Sequence, residues 1–388
     1  MTMPHAYLSP MRPRDPDENG RTASTLELFF DLVFVVAVSI AAVQLHHALT
    51  DGHIVDGLTA YAIVFFGIWW AWMNFTWFAT SFATDDWLYR VLTFVQMAGV
   101  LVLAAGIEPA FTERDFALLV AGYVLMRVAM VAQWLRASRG ADQPRRRTTQ
   151  IYAAGIATVQ ALWLVWLLVS GTMATVGLIA LVAAELAVPI IAERRGGTPW
   201  HPHHITERYG LFTLILLGES LLASTNAIIE ALRRDDQAIA PLVSIAILTF
   251  IVTAALWWIY FWPPHHTAIR TFATSLRYGY VHYFVFAAAG ALSAGIEVEI
   301  DALTHHSELT DIQASYTVTI PIAVFILGIW WIAIRDNADR VVNTALPVGA
   351  VLVLLDPIVP IPVTLTTVIL VAIVVVLVVR TPRPTTRS

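Results

Sequence analysis

The sequence of 388 residues contains no cysteine, and none of its 23 basic residues is a lysine. The absence of cysteine excludes disulfides and metal sites built from thiolates. Charged residues make up 13% and hydrophobic residues 58% of the chain, whereas soluble proteins are about 25% charged. A chain this apolar cannot bury its surface in one aqueous core, so we expect the lipid bilayer to cover part of it. The net charge of −5 gives no reason to expect a nucleic-acid partner.

Sequence motifs for metal binding and catalysis are also missing. There is no HExxH pattern, although His204 and Glu207 are three residues apart and could share a helical face. No Walker loop, glycine-rich dinucleotide turn or Ser-His-Asp set is present, so we predict no metal, no cofactor and no enzymatic activity. The first 24 residues lack the apolar core of a cleavable signal peptide. We therefore expect the first membrane helix to act as the targeting signal.

The dominant positive feature is a series of twelve apolar stretches. Most reach the roughly 20 residues that cross about 30 Å of hydrocarbon, and they predict an all-α polytopic membrane protein. Four prolines near the last two stretches, at positions 347, 357, 360 and 362, leave a re-entrant hairpin there as the alternative. The stretches are 25–46, 57–80, 87–107, 115–135, 150–170, 173–192, 206–228, 241–262, 276–296, 313–334, 341–356 and 361–379.

The arginines predict the orientation of these spans. If the N-terminus is cytoplasmic, 19 of the 23 arginines fall in cytoplasmic segments. Only Arg114, Arg233 and Arg234 fall outside, and Arg127 lies within a span. Short cytoplasmic loops retain positive residues because these are hard to translocate. We therefore predict an even number of crossings in a cytoplasmic membrane, with both termini in the cytoplasm.

Similar residues recur at nearly the same offset and predict an internal duplication. A shift of 188 residues places Asp31 on Glu219 and the pair Trp69-Trp70 on Trp257-Trp258, and a shift of 189 lays 105–108 over 294–297. Six helices are an even number, so the two repeats would be parallel. The predicted segments are a cytoplasmic tail 1–24, a first repeat 25–192, a cytoplasmic linker 193–205, a second repeat 206–380 and a tail 381–388.

A charge inside a membrane span costs roughly 2.5–3.5 kcal/mol and usually faces the protein interior. The best candidates for a functional charge within the predicted spans are Asp31, Arg127, Glu185 and Glu219. Asp31 has two interpretations, a structural ion pair with Arg127 or a transport site. Glu219 is the stronger site candidate because Gly218 and Ser220 flank it. Glu185 is nearer the predicted inner surface, where its side chain could snorkel to water.

Uncharged and terminal polar residues complete the candidate set. Glu27 shares a helical face with Asp31, but Ser24-Thr25-Leu26-Glu27 also fits a capping box, which is the simpler interpretation. Asn74 and Gln96 add hydrogen-bonding capacity, either for helix packing or as polar lining. The primary candidates for substrate or ion binding are Asp31, Glu219, Arg127, Asn74, Gln96 and Ser220. The secondary candidates are Glu27, Glu185, Glu207 and His282.

Several segments that contain these residues resemble the bacterial low temperature requirement protein A family. The resemblance implies a bacterial cytoplasmic-membrane protein linked by name to growth in the cold, without an established substrate. A second, weaker similarity is to potassium channels built from two six-helix repeats, and it rests on Phe30-Asp31 and the duplication. The segments that match the first family are 26–34, 72–77, 84–86, 122–134, 207–212, 218–220, 280–283 and 294–297.

Three functions remain open at this stage. The first is a secondary transporter or ion-translocating protein for an unknown small solute or ion, with Asp31 and Glu219 facing each other between the repeats and Arg127 as their counter-ion. The second is a cation channel of tandem six-helix type. The third is a non-transporting membrane scaffold or sensor linked to cold growth, in which every buried charge pairs internally. The sequence permits an oligomer but does not specify one.

Overall fold

The computed structural model describes residues 8–194, 196–233, 239–359 and 363–380. The predicted tail 381–388, the first seven residues of the tail 1–24, and Arg195 and Arg234 lie outside the described residues. In the described part of the chain the structure is helical, and a long helix covers most of each of the twelve predicted stretches. The helices are α1 Thr25–Thr50, α2 Ile54–Phe82, α3 Trp87–Ala105, α4 Ile107–Thr112, α5 Ala117–Gly140, α6 Gln143–Trp166, α7 Thr172–Glu193, α8 Pro202–Arg233, α9 Ile239–Phe261, α10 Phe272–Leu303, α11 Asp311–Ile329, α12 Arg340–Leu355 and α13 Thr364–Val379.

Nine helices within the described ranges are long and apolar enough to cross a membrane. The chain is therefore a membrane protein built from helices. The other three long helices are α6, α8 and α13. Helix α6 contains several glutamines and threonines, and α8 carries Glu219 among serines and threonines. Helix α13 has 16 residues, fewer than the roughly 20 that a straight crossing needs.

The region of the last two predicted spans contains two separate helices, α12 and α13. Pro347 lies inside α12, and Pro357 stands in the 3₁₀ turn Asp356–Ile358 that follows it. Pro360 and Pro362 lie outside the described residues. Two further short segments stand beside the later helices. The 3₁₀ turn His265–Ala268 lies between α9 and α10, and the π-helical turn Trp330–Ile334 directly follows α11.

The third predicted span ends early for an identifiable reason. Helix α3 stops at Ala105, and the short helix α4 begins at Ile107. Pro109 has no N–H, and its ring conflicts with the carbonyl four residues before it, which belongs to Ala105. The matching position in the later half is Val298, and there α10 runs without a break from Phe272 to Leu303.

The helices group into two compact units. Unit 1 comprises Met1–Ala37 and Gly67–Ile205, and unit 2 comprises Val38–Phe66 and Thr206–Ser388. Within unit 1, α3 packs on α5, α5 on α6 and α6 on α7. Within unit 2, α10 packs on α11, α11 on α12, and α12 on α13. Residues 38–66 group with the later helices, whereas the predicted first repeat, 25–192, included them.

The segment that precedes α1 is part of unit 1 and is held mainly through its own backbone. Met11 is only 2% exposed, and a Cβ added to Gly140 of α5 would lie 2.1 Å from the Met11 carbonyl oxygen. The backbone bonds are Ser9 N to Asp86 Oδ2 (3.0 Å), Arg136 Nη2 to Ser9 O (2.8 Å), Arg14 N to Ser81 O (2.9 Å) and His201 Nε2 to Glu18 O (2.9 Å).

Asp86 connects this segment to two helices. Its carboxylate accepts from Tyr89 N at 2.9 Å, which caps α3, and from both terminal nitrogens of Arg136 on α5. Burial disfavours the charged carboxylate and would raise its pKa. The hydrogen bonds from Arg136, Tyr89 and Ser9 outweigh burial and hold the pKa of Asp86 below its ordinary value.

Candidate functional site

Glu185 is the centre of a buried polar cluster in unit 1. Its Oε2 accepts from Trp70 Nε1 at 2.8 Å and from Arg127 Nη2 at 3.2 Å. Its Oε1 accepts from Tyr123 OH at 3.1 Å and from Trp163 Nε1 at 3.3 Å. The Arg127 and Glu185 side chains are each 2% exposed. Four donors converge on one carboxylate, which satisfies the charge internally and indicates a structural ion pair.

Two sequence interpretations are therefore wrong. Arg127 pairs with Glu185 of α7 and not with Asp31. Glu185 does not snorkel to an inner surface, because it faces the interior of unit 1. Arg127 is held further by its own helix, since Tyr123 is four residues earlier on the same face of α5. The Arg127 guanidinium contacts the Tyr123 hydroxyl and lies 4.6 Å from the centre of its ring.

The acids at the start of α1 also have partners within unit 1. Asp31 is 1% exposed, and its Oδ1 accepts from Trp72 Nε1 at 2.7 Å. The predicted capping box is confirmed, because Ser24 N donates to Glu27 Oε2 at 2.8 Å and Glu27 N donates to Ser24 Oγ at 3.3 Å. The other carboxylate oxygen of Glu27 lies 3.2 Å from His204 Nε2.

The two candidate amides form hydrogen bonds within unit 1. Asn74 is half-buried and donates to the Trp70 carbonyl of its own helix at 2.7 Å. Gln96 of α3 donates to Gln133 Oε1 of α5 at 3.0 Å, and Gln133 reaches Thr93 at 3.4 Å. The Gln96 bond joins α3 to α5 and matches the helix-packing interpretation, whereas the Asn74 bond stays within α2.

Glu219 lies in unit 2, in different surroundings. It stands 17 residues after Pro202 and 14 before Arg233, so it is near the middle of α8. Its Oε1 accepts from the Ser39 hydroxyl of α1 at 2.5 Å, and the Glu219 side chain is half-buried. A Cβ added to Gly218 would meet nothing within 4 Å. The Glu219 carboxyl group therefore lies halfway along a membrane-length helix, partly exposed and hydrogen-bonded to a hydroxyl group.

Ser220 adds a second hydroxyl group beside Glu219. The residue is fully buried, and its Oγ has no hydrogen-bond partner among the residues that the structure describes. Glu207, one of the secondary candidates, is half-buried near the start of the same helix, twelve residues before Glu219. Ser39 was not predicted from the sequence. Its signal is a single hydroxyl residue within the apolar run of α1.

His282 belongs to a second polar cluster of unit 2. His282 Nδ1 lies 2.7 Å from the Tyr278 carbonyl oxygen and its Nε2 lies 3.1 Å from the Tyr260 hydroxyl. His265 Nε2 lies 2.6 Å from the Tyr260 carbonyl oxygen and its Nδ1 lies 3.0 Å from the Tyr278 hydroxyl. A carbonyl can only accept, so each histidine donates to it through that nitrogen, and its other nitrogen contacts a tyrosine hydroxyl group. The arrangement joins α9, α10 and the turn between them.

This cluster leads to a prediction about pH. Burial lowers the pKa of His265 from 6.5 to about 4, whereas the unfolded chain titrates near ~6.5. Between about pH 6.5 and pH 4 the unfolded state binds a proton at His265 that the folded state does not. The free energy of unfolding therefore decreases as the pH drops through this range. We expect a loss of roughly 1–3 kcal/mol, seen as a lower midpoint of thermal unfolding of the detergent-purified protein at pH 4.5 than at pH 7.

The controls for this prediction are two histidine variants. His265→Asn should show a shallower dependence on pH between these limits than the wild type does. His305→Gln changes an exposed histidine and should keep the wild-type dependence. An equal dependence in His265→Asn and the wild type would show that His265 does not cause the acid sensitivity.

The described residues contain no group of three or more histidines, aspartates or glutamates that could hold a metal ion. The pair His204 and Glu207, three residues apart in the sequence, is therefore not part of any such group. The functional candidates are the internally neutralised cluster around Glu185, the tyrosine–histidine cluster, and the half-buried carboxyl group of Glu219.

Comparisons with known proteins agree with the apolar helices and their motifs. The family model described as Bacterial low temperature requirement A protein (LtrA) matches residues 22–379. An uncharacterized protein of Rhizobium meliloti (strain 1021) is 31% identical over 257 residues, which cover 64% of this chain. The aligned part spans 60% of that relative's own length. The match to the family model extends over nearly all of the chain, and the protein therefore belongs to the bacterial low temperature requirement A family.

Proposed function

We propose that the protein moves a proton or a small cation across the bacterial cytoplasmic membrane and that Glu219 is the group that binds it. The observation that carries the proposal is the half-buried carboxyl group of Glu219 in the middle of α8, which is hydrogen-bonded to the Ser39 hydroxyl. An ionised carboxylate at this depth costs a few kcal/mol unless a proton or cation accompanies it. The site therefore favours reversible binding of a positive ion.

The chemistry of the neighbours supports this assignment. The Ser39 hydroxyl group, which contacts Glu219, can donate to an ionised carboxylate or turn its oxygen toward a bound cation. The charged groups of unit 1 are different, because Glu185 already has an arginine and three further donors. A group that must release its ion suits the sparsely bonded carboxyl group better than the fully bonded one.

A twelve-crossing topology with two parallel repeats is part of the proposal. Its support is the set of twelve long helices, the arginine distribution and two glycines at equivalent positions. A Cβ at Gly106 would lie 2.4 Å from Leu119 N of α5, and a Cβ at Gly295 would lie 2.3 Å from Thr317 O of α11. In both halves the glycine of the repeated Ala-Gly-Ile-Glu sequence thus lets the next helix approach backbone to backbone.

The proposal is tested by ion flux into liposomes that contain the purified full chain. Glu219→Gln keeps the shape of the side chain and removes its charge, so we expect flux to fall by at least about tenfold. Glu108→Gln makes the same chemical change at an exposed carboxyl group and should leave flux unchanged. Wild-type flux in a correctly folded Glu219→Gln variant would refute the proposal.

Two further variants define the extent of the site. Ser39→Ala should reduce flux less than Glu219→Gln, because water can replace the lost hydroxyl group. The predicted sharing of one site by Asp31 and Glu219 remains a prediction, and Asp31→Asn tests it. A loss of flux that equals the loss in Glu219→Gln would support a shared site.

One observation favours a non-transporting scaffold as the second candidate. The charged cluster of unit 1 is neutralised internally, as a purely structural protein requires. A scaffold predicts no flux in the wild type under any gradient. A channel predicts discrete single-channel currents in planar bilayers, whereas a transporter does not.

A further inference from the structure

Unit 2 contains a groove of 470 Å³ that lies apart from Glu219. Its walls come from the end of α1, the start of α2, the middle of α10 and the first half of α11. This volume falls within the range of about 300–1,000 Å³ that is typical of ligand sites. Representative lining residues are Leu45, Leu58, Ala288, Ala291, Ile320 and Pro321.

The walls of the groove are mostly apolar, and two of its three tyrosine hydroxyl groups are already hydrogen-bonded to backbone carbonyls. Tyr61 of α2 donates to the Ala287 carbonyl of α10 at 2.8 Å, and Tyr283 of α10 donates to the Ala62 carbonyl of α2 at 2.8 Å. These reciprocal bonds fix the two helices together and leave the aromatic rings to line the groove. A polar ligand would find few partners on such walls.

The length and position of the groove match one leaflet of a bilayer. Its lining on α11 extends from Gln313 to Val324, and eleven residues of helix rise roughly 16 Å. That length is about half of the ~30 Å hydrocarbon thickness. One end of the groove lies at Leu49 and Leu309, next to the chain segments that leave the membrane helices. All four contributing helices are long and apolar enough to span a membrane, so hydrocarbon chains surround the groove.

The rim at that end carries negative charge. Asp51, Glu308 and Asp311 are exposed there, and the backbone bond from Glu308 N to Thr50 O (2.9 Å) joins the two rim segments. The sequence of segments 50–54 and 304–313 contains no arginine or lysine. This rim would attract an ammonium group and repel a headgroup with net negative charge.

We propose that the groove binds one acyl chain of a membrane phospholipid whose headgroup ends in an ammonium group. The chain fills the apolar walls between α10 and α11, and the headgroup lies at the acidic rim. This inference is independent of ion movement through Glu219. A protein that moves no ions could bind the lipid, and a transporter could lack this site.

The test uses phosphatidylethanolamine with a photoactivatable diazirine on its acyl chain. The full-length protein is reconstituted in vesicles that contain this lipid, irradiated and mapped by peptide mass spectrometry. We expect labelling at 284–291 and 316–324 to exceed labelling of the lipid-facing residues of α7, such as Val176 and Ile179, by about fivefold. Equal labelling of both regions would mean general contact with the bilayer and would overturn the proposal.

Substitutions that fill the groove provide the second readout. Ala291→Trp should reduce groove labelling by about fivefold or more. Ile320→Trp should act in the same direction, and because Ile320 is an exposed side chain it keeps the test valid if Ala291→Trp fails to fold. The matched control is Ala180→Trp on the exposed face of α7, which should not change groove labelling. Wild-type labelling in a folded groove variant would overturn the proposal.

The headgroup is tested with the same photoactivatable chain on phosphatidylglycerol. We expect this anionic lipid to label the groove several-fold less than phosphatidylethanolamine does. The triple variant with Asp51→Asn, Glu308→Gln and Asp311→Asn should remove the difference between the two lipids. Equal labelling of the wild type by both lipids would overturn the assignment of the headgroup.

Discussion

Replacing Glu185 by alanine is expected to destabilise the protein by about 3–5 kcal/mol, because it leaves the buried Arg127 charge without its partner. The change also removes the acceptor for the indole groups of Trp70 and Trp163 and for the Tyr123 hydroxyl. Each buried donor left unpaired adds to the loss. The measurement is the thermal unfolding midpoint of the detergent-purified protein, followed by the loss of its monodisperse peak in size-exclusion chromatography.

A double variant separates the charge from the packing. Arg127→Met combined with Glu185→Leu removes both charges and keeps most of the volume, so it should be markedly more stable than Glu185→Ala alone. Glu108→Ala removes an exposed carboxyl group and should leave the unfolding midpoint close to the wild-type value. A Glu185→Ala variant that unfolds at the wild-type temperature would show that the cluster contributes little to stability.

The second large effect is expected at the crossing of α3 and α5. A Cβ on Gly122 would lie 2.3 Å from Leu103 N and 2.6 Å from Gly99 O, and a Cβ on Gly99 would lie 2.8 Å from Gly122 O. The two backbones touch at these glycines, as in the small-residue interfaces of membrane helices. Gly122→Ala should therefore force the helices apart and destabilise the protein by about 1–3 kcal/mol. Gly122→Val should destabilise it further. The thermal unfolding midpoint in detergent is again the measurement.

Gly218→Ala is the matched control for this prediction. A Cβ at Gly218 would meet nothing within 4 Å, so the substitution should leave stability unchanged or raise it by up to about 1 kcal/mol through helix propensity. If Gly122→Ala and Gly218→Ala unfolded at the same temperature, the close approach of α3 and α5 would not be important for stability.

The positions of the helices could be predicted from the sequence because the length of an apolar run is a direct consequence of bilayer thickness. The end of α3 shows where such reasoning becomes imprecise. The apolar run continues to 107, but Pro109 removes a backbone donor and ends the helix at Ala105. A proline that follows an apolar run by two residues can therefore end the helix before the apolar run ends.

The partner of Arg127 could not be predicted because it depends on which way α7 faces. The buried residues of α7 are Leu181, Glu185, Val188 and Ala192, a single helical stripe. Helix α7 is apolar on nearly every face, so its hydrophobic pattern does not reveal the buried side. The residues of the pair are separated by 58 positions, and only the packing of α5, α6 and α7 brings them together.

The two candidate acids illustrate the same limit. The offset of 188 residues pairs Asp31 of α1 with Glu219 of α8 as acids within predicted spans. Their neighbours differ, because a tryptophan indole donates to Asp31 and a serine hydroxyl donates to Glu219. Sequence periodicity identifies the position of a charged residue along a helix. How exposed that residue is depends on the neighbouring helices, which the sequence of one helix does not reveal.

The segment ahead of α1 has a practical consequence. The four hydrogen bonds described above between this stretch and the rest of unit 1 all use the peptide groups of Ser9, Arg14 and Glu18, and a further one joins the Arg21 guanidinium to the Ala79 carbonyl at 3.1 Å. Peptide groups are common to all residues except for the missing N–H of proline. The number of residues between Ser9 and Thr25 should consequently matter more for this anchorage than their identities. An affinity tag that shortens this stretch should therefore break these contacts, whereas substitutions of side chains other than Arg21 should leave the backbone bonds in place.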